Sequence, residues 1–317
     1  MKKIWNRMVC VMLLCILVTA ATISANAAGT IDTNRDVALT ISYQYNGTAI
    51  SGAKFDVYKV ADVDAYAQMK VTDRFSEYPI PSDHMSQDDW NDFATTLKSY
   101  VWKDSLKPDF SGQTDGTGNW QTTVKPGLYL VVGSRCDVND MTYTASPFVV
   151  FLPGSNEEQN TWEYAVTASP KADGEKKPST DTRISRKVLK IWEDGDKKTS
   201  RPKDITIHLM CDGKVYDTVK LNAENDWRHT WDNLEQNHEW LVSEDTVSGY
   251  TQNITQEGTT FTVKNTSTTK ATNTSSKPKD SSLPRTGLLW WPALALMAGG
   301  LLCVVIGLVR RRGADGE

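Results

Sequence analysis

The sequence predicts an all-β protein built from two β domains in tandem, the first carrying one inserted amphipathic helix. Three observations predict it. Short runs of alternating apolar and polar residues, bounded by Gly, Pro and Asn, recur through both halves of the chain. One segment alone has helical spacing. The stretch between the halves is polar with Gly and Pro, as a linker is.

The N-terminal residues 1–27 do not belong to either domain. Lys2, Lys3 and Arg7 precede an apolar run from Met8 to Ala21, then Ala25-Asn26-Ala27. A charged region, a short apolar core and a small-x-small site together read as a cleaved signal peptide. Residues 30–171 form the first predicted domain. Val37 to Tyr43 and Phe55 to Val60 alternate as half-buried strands, with Asn46-Gly47 as a turn between them. Gly127 to Val132 and Pro147 to Phe151 are apolar β-rich runs, and Trp162, Tyr164 and Val166 alternate again. Ser86-Gln87-Asp88-Asp89 opens like a capping box, and Trp90, Phe93, Ala94, Leu97 and Val101 follow at helical spacing.

Residues 172–183 read as the linker. Residues 184–267 form the second domain, with strands predicted at 187–192, 205–210, 215–221, 227–231, 240–244 and 259–265, the spacing of a β-sandwich. Residues 268–282 are almost entirely Ser, Thr, Lys, Asn and Pro, an extended stalk that cannot bury a core. Residues 288–309 carry no charge and are followed by Arg310, Arg311 and Arg312, the pattern of a membrane span with a basic cytoplasmic tail.

Charge and cysteine content exclude several functions. The chain has 35 Lys+Arg and 39 Asp+Glu. Between the two apolar ends the balance is 29 against 37, a mildly acidic surface unsuited to nucleic acid. Cys10, Cys15 and Cys303 lie in the apolar ends, which leaves only Cys136 and Cys211, one in each domain, so no disulfide framework is expected. His84, His208, His229 and His238 lack metal-ligand spacing, and no nucleophile or phosphate-loop motif is present. Glu193-Asp194-Gly195-Asp196 lacks the rest of a calcium loop and reads as a solvated hairpin. The expectation is therefore a protein that is not an enzyme and uses no metal or cofactor.

Three polar residues stand out in the second domain. Residues two apart in a strand share a face. Lys190 lies with Val188 and Trp192, Glu244 with Trp240 and Val242, and Asn265 with Phe261 and Val263. An unpaired buried charge is costly, and three arrangements avoid it. Lys190 and Glu244 can form a buried pair capped by Asn265, or Lys190 can snorkel to the rim. Alternatively, desolvation lowers the lysine pKa and raises that of the carboxyl. The neutral amine then attacks the Asn265 side-chain carbonyl while protonated Glu244 assists, and an amide forms as ammonia leaves.

The second domain also resembles a known family. Val188-Leu189-Lys190-Ile191-Trp192, Arg201-Pro202, Asp212-Gly213-Lys214, Leu221-Asn222-Ala223, Trp227, Ser243-Glu244-Asp245, Gly249-Tyr250 and Phe261 to Thr266 run in the order of collagen-adhesin B-type (CnaB) domains. The resemblance implies an immunoglobulin-like sandwich with a spontaneous isopeptide bond between Lys190 and Asn265, assisted by Glu244. The first domain resembles the N-terminal domains of Gram-positive pilins through Gly52 to Tyr58 and Lys125 to Val131. Its first strand has no lysine, so no cross-link is expected there.

Leu283-Pro284-Arg285-Thr286-Gly287, the apolar span and the arginine tail together resemble a sortase sorting signal. The resemblance implies cleavage between Thr286 and Gly287, with membrane residence only before sorting. Trp162 to Lys171 resembles the pilin motif at Trp162, Val166, Pro170 and Lys171, and departs from it at Ala168 and Ser169. It implies that Lys171 is the amine that accepts Thr286 of a neighbouring subunit. The sequence reading is thus a sortase substrate joined to other pilin subunits. The alternative is an adhesin joined to peptidoglycan and binding a host ligand.

Overall fold

The computed structural model describes residues 29–268 apart from 79, 81–84, 157–158, 178–181 and 196–200. The signal peptide, the sorting motif 283–287, the span 288–309 and all but the first residue of the stalk lie outside the described residues.

In the first domain the strand Val37–Ser42 lies between Asn119–Val124, antiparallel, and Ala165–Ala168, parallel. Its inward residues Val37, Leu39 and Ile41 are fully buried, as their alternation requires. They pack on one face of a second sheet, in which Gly127–Gly133 runs between Phe148–Leu152 and Lys54–Val63. The other face of that sheet receives the helix Gln87–Lys103 through Phe93, Ala94, Leu97 and Val101. Gly127–Gly133 is therefore buried on both faces, which explains its unbroken apolar run. Each Leu or Phe buried this way contributes about 1.5–3 kcal/mol.

The helix starts where the capping box predicts. Ser86 Oγ accepts from the Asp89 amide at 3.2 Å, and the Asp89 carboxylate accepts from the Ser86 amide at 2.8 Å. Asn46 and Gly47 both have positive φ, 49° and 77°, and turn Gln44–Tyr45 back onto Thr48–Ala49.

The linker expected at 172–183 starts later than its composition suggests. Ala172–Lys176 is a strand paired antiparallel with Met141–Ala145. Strand pairing there uses backbone groups on an exposed edge, so the polar side chains that read as a linker do not oppose it.

The second domain is a sandwich of two sheets. One runs Arg228–Glu235, Arg183–Glu193, Thr260–Ser267, Tyr250–Glu257, and the other Lys214–Asn222, Asp204–Cys211, Trp240–Glu244. Val188, Ile207, Leu209, Leu221, Val242, Ile254, Phe261 and Val263 fill the space between them. The strand Tyr250–Glu257 was not foreseen, because only Tyr250 and Ile254 of its polar sequence are buried. It is an edge strand, and the helix of the first domain covers it: the Ile254 amide donates to Thr96 Oγ1 at 2.8 Å. Lys98 of the same helix is buried against Glu239 in an ion pair, and Trp102 packs on the second domain's core.

Candidate functional site

Strand register brings Lys190, Glu244 and Asn265 together in the core of the second domain. Arg183–Glu193 and Thr260–Ser267 are parallel, with Lys190 opposite Val263 and Trp192 opposite Asn265. Lys190 and Asn265 therefore point inward from neighbouring strands of one sheet. Glu244 reaches them from the facing sheet, where it sits opposite Ile207. Lys190 Nζ lies 2.9 Å from Glu244 Oε1 and 3.1 Å from Oε2. Asn265 Nδ2 donates to the same Oε1 at 3.3 Å. The side chains of Lys190 and Glu244 have no solvent exposure, and Asn265 is fully buried. Of the three arrangements open in the sequence, snorkelling of Lys190 is thus excluded.

Burial sets the protonation chemistry. Desolvation lowers the Lys190 pKa to about 8, against the opposing pull of Glu244. The same burial raises the Glu244 pKa above its ordinary range. Both shifts favour a neutral amine beside a neutral carboxyl. The Asn265 Oδ1 is buried without a hydrogen-bond partner. Turning that amide over places Oδ1 against Glu244, where a protonated carboxyl can donate to it. An amine, an amide carbonyl and an acid then meet in one buried cluster, the parts needed for amide exchange.

Aromatic rings close the site. Lys190 Nζ sits 4.7 Å from the centre of the Trp192 ring. Trp192 meets Trp227 and Tyr250 edge to face at 5.3 Å and 5.0 Å. Outside them, Arg201 grips Asp194 with two hydrogen bonds of 2.7 Å, and Tyr250 donates to Asp194 at 3.1 Å. The Arg201 hydrogen bond holds the Asp194 carboxyl below its ordinary range. Asp194 is accordingly not part of a solvated hairpin; its side chain is 1% exposed because Arg201 and Tyr250 satisfy it. The sequence signal for this clasp was the Arg201-Pro202 pair, which the acidic pattern of residues 193–196 obscured.

Lys171 occupies a different environment. Its side chain is 76% exposed, with Nζ 3.4 Å from Asp173. Pro170 just before it is buried, and the Lys171 carbonyl accepts from the Ser146 amide at 3.0 Å, so the backbone beneath the amine is fixed. Val166 is paired with Leu39 in the parallel strand. Trp162 is half-buried near Phe151, and its indole N–H donates to the Gly29 carbonyl. Lys171 does not approach the buried trio by any contact described. Cys211, Asp212 and His238 also come together among the described residues, a cluster that sequence spacing did not reveal.

Two family models match the chain. Residues 20–172 match the family "Gram-positive pilin subunit D1, N-terminal domain", and residues 186–266 match the family "Cna protein B-type domain". A collagen adhesin of Staphylococcus aureus is 32% identical over 83 residues, which is 24% of this chain; the chain spans only 7% of that protein's length. A solved single B repeat unit of the collagen-binding surface protein of S. aureus is 17% identical, covering 74% of this chain and 99% of the other, with a TM-score of 0.27. The full-length major pilin SpaD of Corynebacterium diphtheriae is 15% identical, covering 74% and 65%, with a TM-score of 0.30.

Proposed function

We propose that this chain, in which a Gram-positive pilin D1 domain precedes a Cna protein B-type domain, is a structural subunit of a cell-surface pilus. The subunit is joined through Thr286 to Lys171 of its neighbour and hardened by an amide between Lys190 and Asn265. The buried trio of Lys190, Glu244 and Asn265 carries the reading, because it gathers the groups for an internal amide in a domain without disulfides. Lys190 Nζ, as the free amine, attacks the Asn265 side-chain carbon. Glu244 donates to Oδ1, takes up the amine proton and passes it to the departing nitrogen. One C–N bond forms, one breaks, and ammonia leaves. The protein turns over once, on itself, and is no enzyme.

Polymerisation needs an enzyme outside the chain. A sortase would cleave between Thr286 and Gly287 and hold Thr286 as a thioester until an amine resolves it. Lys171 suits that role: its ammonium is exposed, its backbone is anchored, and it lies where the pilin-type domain ends. Replacing Lys171 by Ala should abolish high-molecular-weight ladders in cell-wall extracts, with Lys176→Ala and Lys177→Ala as controls that leave them. Persistent ladders in Lys171→Ala would overturn the assignment.

Two observations favour a second reading. The curated relative is an adhesin, and Ala168 and Ser169 depart from the pilin pattern beside Lys171. A wall-anchored adhesin would use Thr286 to join peptidoglycan, and Lys171 would stay free. Wild-type extracts containing only a monomer bound to wall fragments would establish that reading instead.

A further inference from the structure

The geometry points to a surface site for a zinc-class divalent cation at one end of the second domain, formed by Cys211, Asp212 and His238 and supported by Glu235. None of these residues takes part in the proposed cross-link or in subunit linkage. Donor atoms of Cys211, Asp212 and His238 all lie within 4.8 Å of one another.

Two neighbouring turns create the arrangement. Asp212 and Gly213, with φ of 48° and 83°, form the tight turn between Asp204–Cys211 and Lys214–Asn222. The second turn leads from Arg228–Glu235 into Trp240–Glu244. Pairing of Cys211 with Trp240 holds the turns side by side. Backbone contacts lock them: the Asp212 amide donates to the Glu239 carbonyl at 3.0 Å, and the Glu239 amide donates to Asp212 Oδ1 at 2.8 Å. One Asp212 oxygen is thereby committed to the backbone, and the other faces His238 Nδ1 at 2.5 Å.

The donor types select the metal. One sulfur, one imidazole nitrogen and one carboxylate oxygen suit zinc, whose tetrahedral sites take all three. Calcium and magnesium want oxygen alone. His238 Nε2 lies 3.3 Å from Glu235 Oε2. With a cation on Nδ1, the remaining ring N–H would donate to that carboxylate, the second partner that metal-bound histidines ordinarily have. The cation would displace the Cys211 thiol proton, and two carboxylates beside the site would offset its charge. The rival arrangement is an imidazole held between Asp212 and Glu235 with Cys211 as a bystander.

Cobalt(II) separates the two, because a thiolate ligand produces an intense charge-transfer band that a carboxylate–histidine cluster lacks. Titrating the purified protein should give one such band, saturating at one equivalent and abolished by zinc. Cys211→Ser should remove the band, Cys136→Ser should keep it, and Glu235→Gln should weaken binding about tenfold. Unchanged circular dichroism would show that the variants remain folded. Absence of the band in the folded wild type, or its survival in Cys211→Ser, would overturn the proposal.

Discussion

Replacing Lys190 by Met removes the reactive amine and keeps a flexible apolar stem in its place. The partners it leaves are tolerable: burial already raises the Glu244 pKa, and Asn265 donates a hydrogen bond to its carboxyl group. The main loss would be the proposed cross-link. In the chain-entropy account used for disulfides, closing residues 190–265 restricts the unfolded chain by about 4–5 kcal/mol. A domain of about 80 residues unfolds with an entropy of roughly 0.17 kcal/mol/K near 60 °C, so the variant should melt about 25 °C lower. Calorimetry reads that shift, and intact mass reads the bond. The wild type should weigh about 17 Da less than its formula because ammonia has left; Lys190→Met should show no deficit. Lys187, exposed on the same strand, provides the control: Lys187→Met should keep both the deficit and the melting point. A wild type at full mass would refute the bond. A deficit accompanied by a shift below about 5 °C would refute the claim that loop closure carries the stability.

Four further outcomes follow from the same geometry. Glu244→Gln preserves shape but cannot carry the proton, so it should fold and regain the full formula mass; a retained deficit would remove Glu244 from the mechanism. Bond formation during folding from denaturant should follow a bell-shaped pH profile whose two limbs belong to the Lys190–Glu244 pair jointly; a flat profile would exclude their proton exchange. In uncross-linked Asn265→Ala, stability should rise with pH from about 8 to the ordinary lysine pKa of 10.5, because only the unfolded Lys190 is still protonated in that window. The rise should be about 3 kcal/mol in denaturant titrations, and a fall would contradict the lowered pKa. Lys98→Met leaves the mostly buried Glu239 without its partner and should destabilise the docked domains by about 1–3 kcal/mol, measured by thermal unfolding; no change would mean that the pair contributes nothing net.

Legibility differed between the domains for physical reasons. In the second domain, period-two alternation identified the faces of Lys190, Glu244 and Asn265, since one face of each strand must meet the other sheet. What alternation could not supply was that Glu244 Oε1 serves both partners, a consequence of register across two sheets. In the first domain, Ser86 to Asp89 announced the helix because capping is local chemistry. The helix's second partner, the edge strand around Ile254, was hidden, because that strand buries only two side chains. Ala172–Lys176 was hidden for a similar reason: its pairing rests on backbone groups that composition does not reveal. Cys211 and His238 are far apart in sequence and meet only through the Cys211–Trp240 pairing, so no spacing rule could join them.

Under the proposed linkage, the strand order puts the candidate cross-link in the domain that would bear the load. In both domains the first strand pairs in parallel with a late one, Val37–Ser42 with Ala165–Ala168 and Arg183–Glu193 with Thr260–Ser267. Tension applied between Lys171 and Thr286 of such a polymer would enter after nearly all of the first domain has been passed. Val37–Ser42 and the sheet it belongs to would then carry no axial load, so a cross-link there would serve nothing mechanical. The loaded segment begins with Ala172–Lys176, already extended as a strand and therefore without slack to release. Load would next reach Arg183–Glu193, where the proposed amide from Lys190 would pass it directly to Asn265, near the end of Thr260–Ser267. Residues 191–264 are left outside the covalent path. The domain placed in the line of force is the one that holds the amine, the acid and the amide in its core.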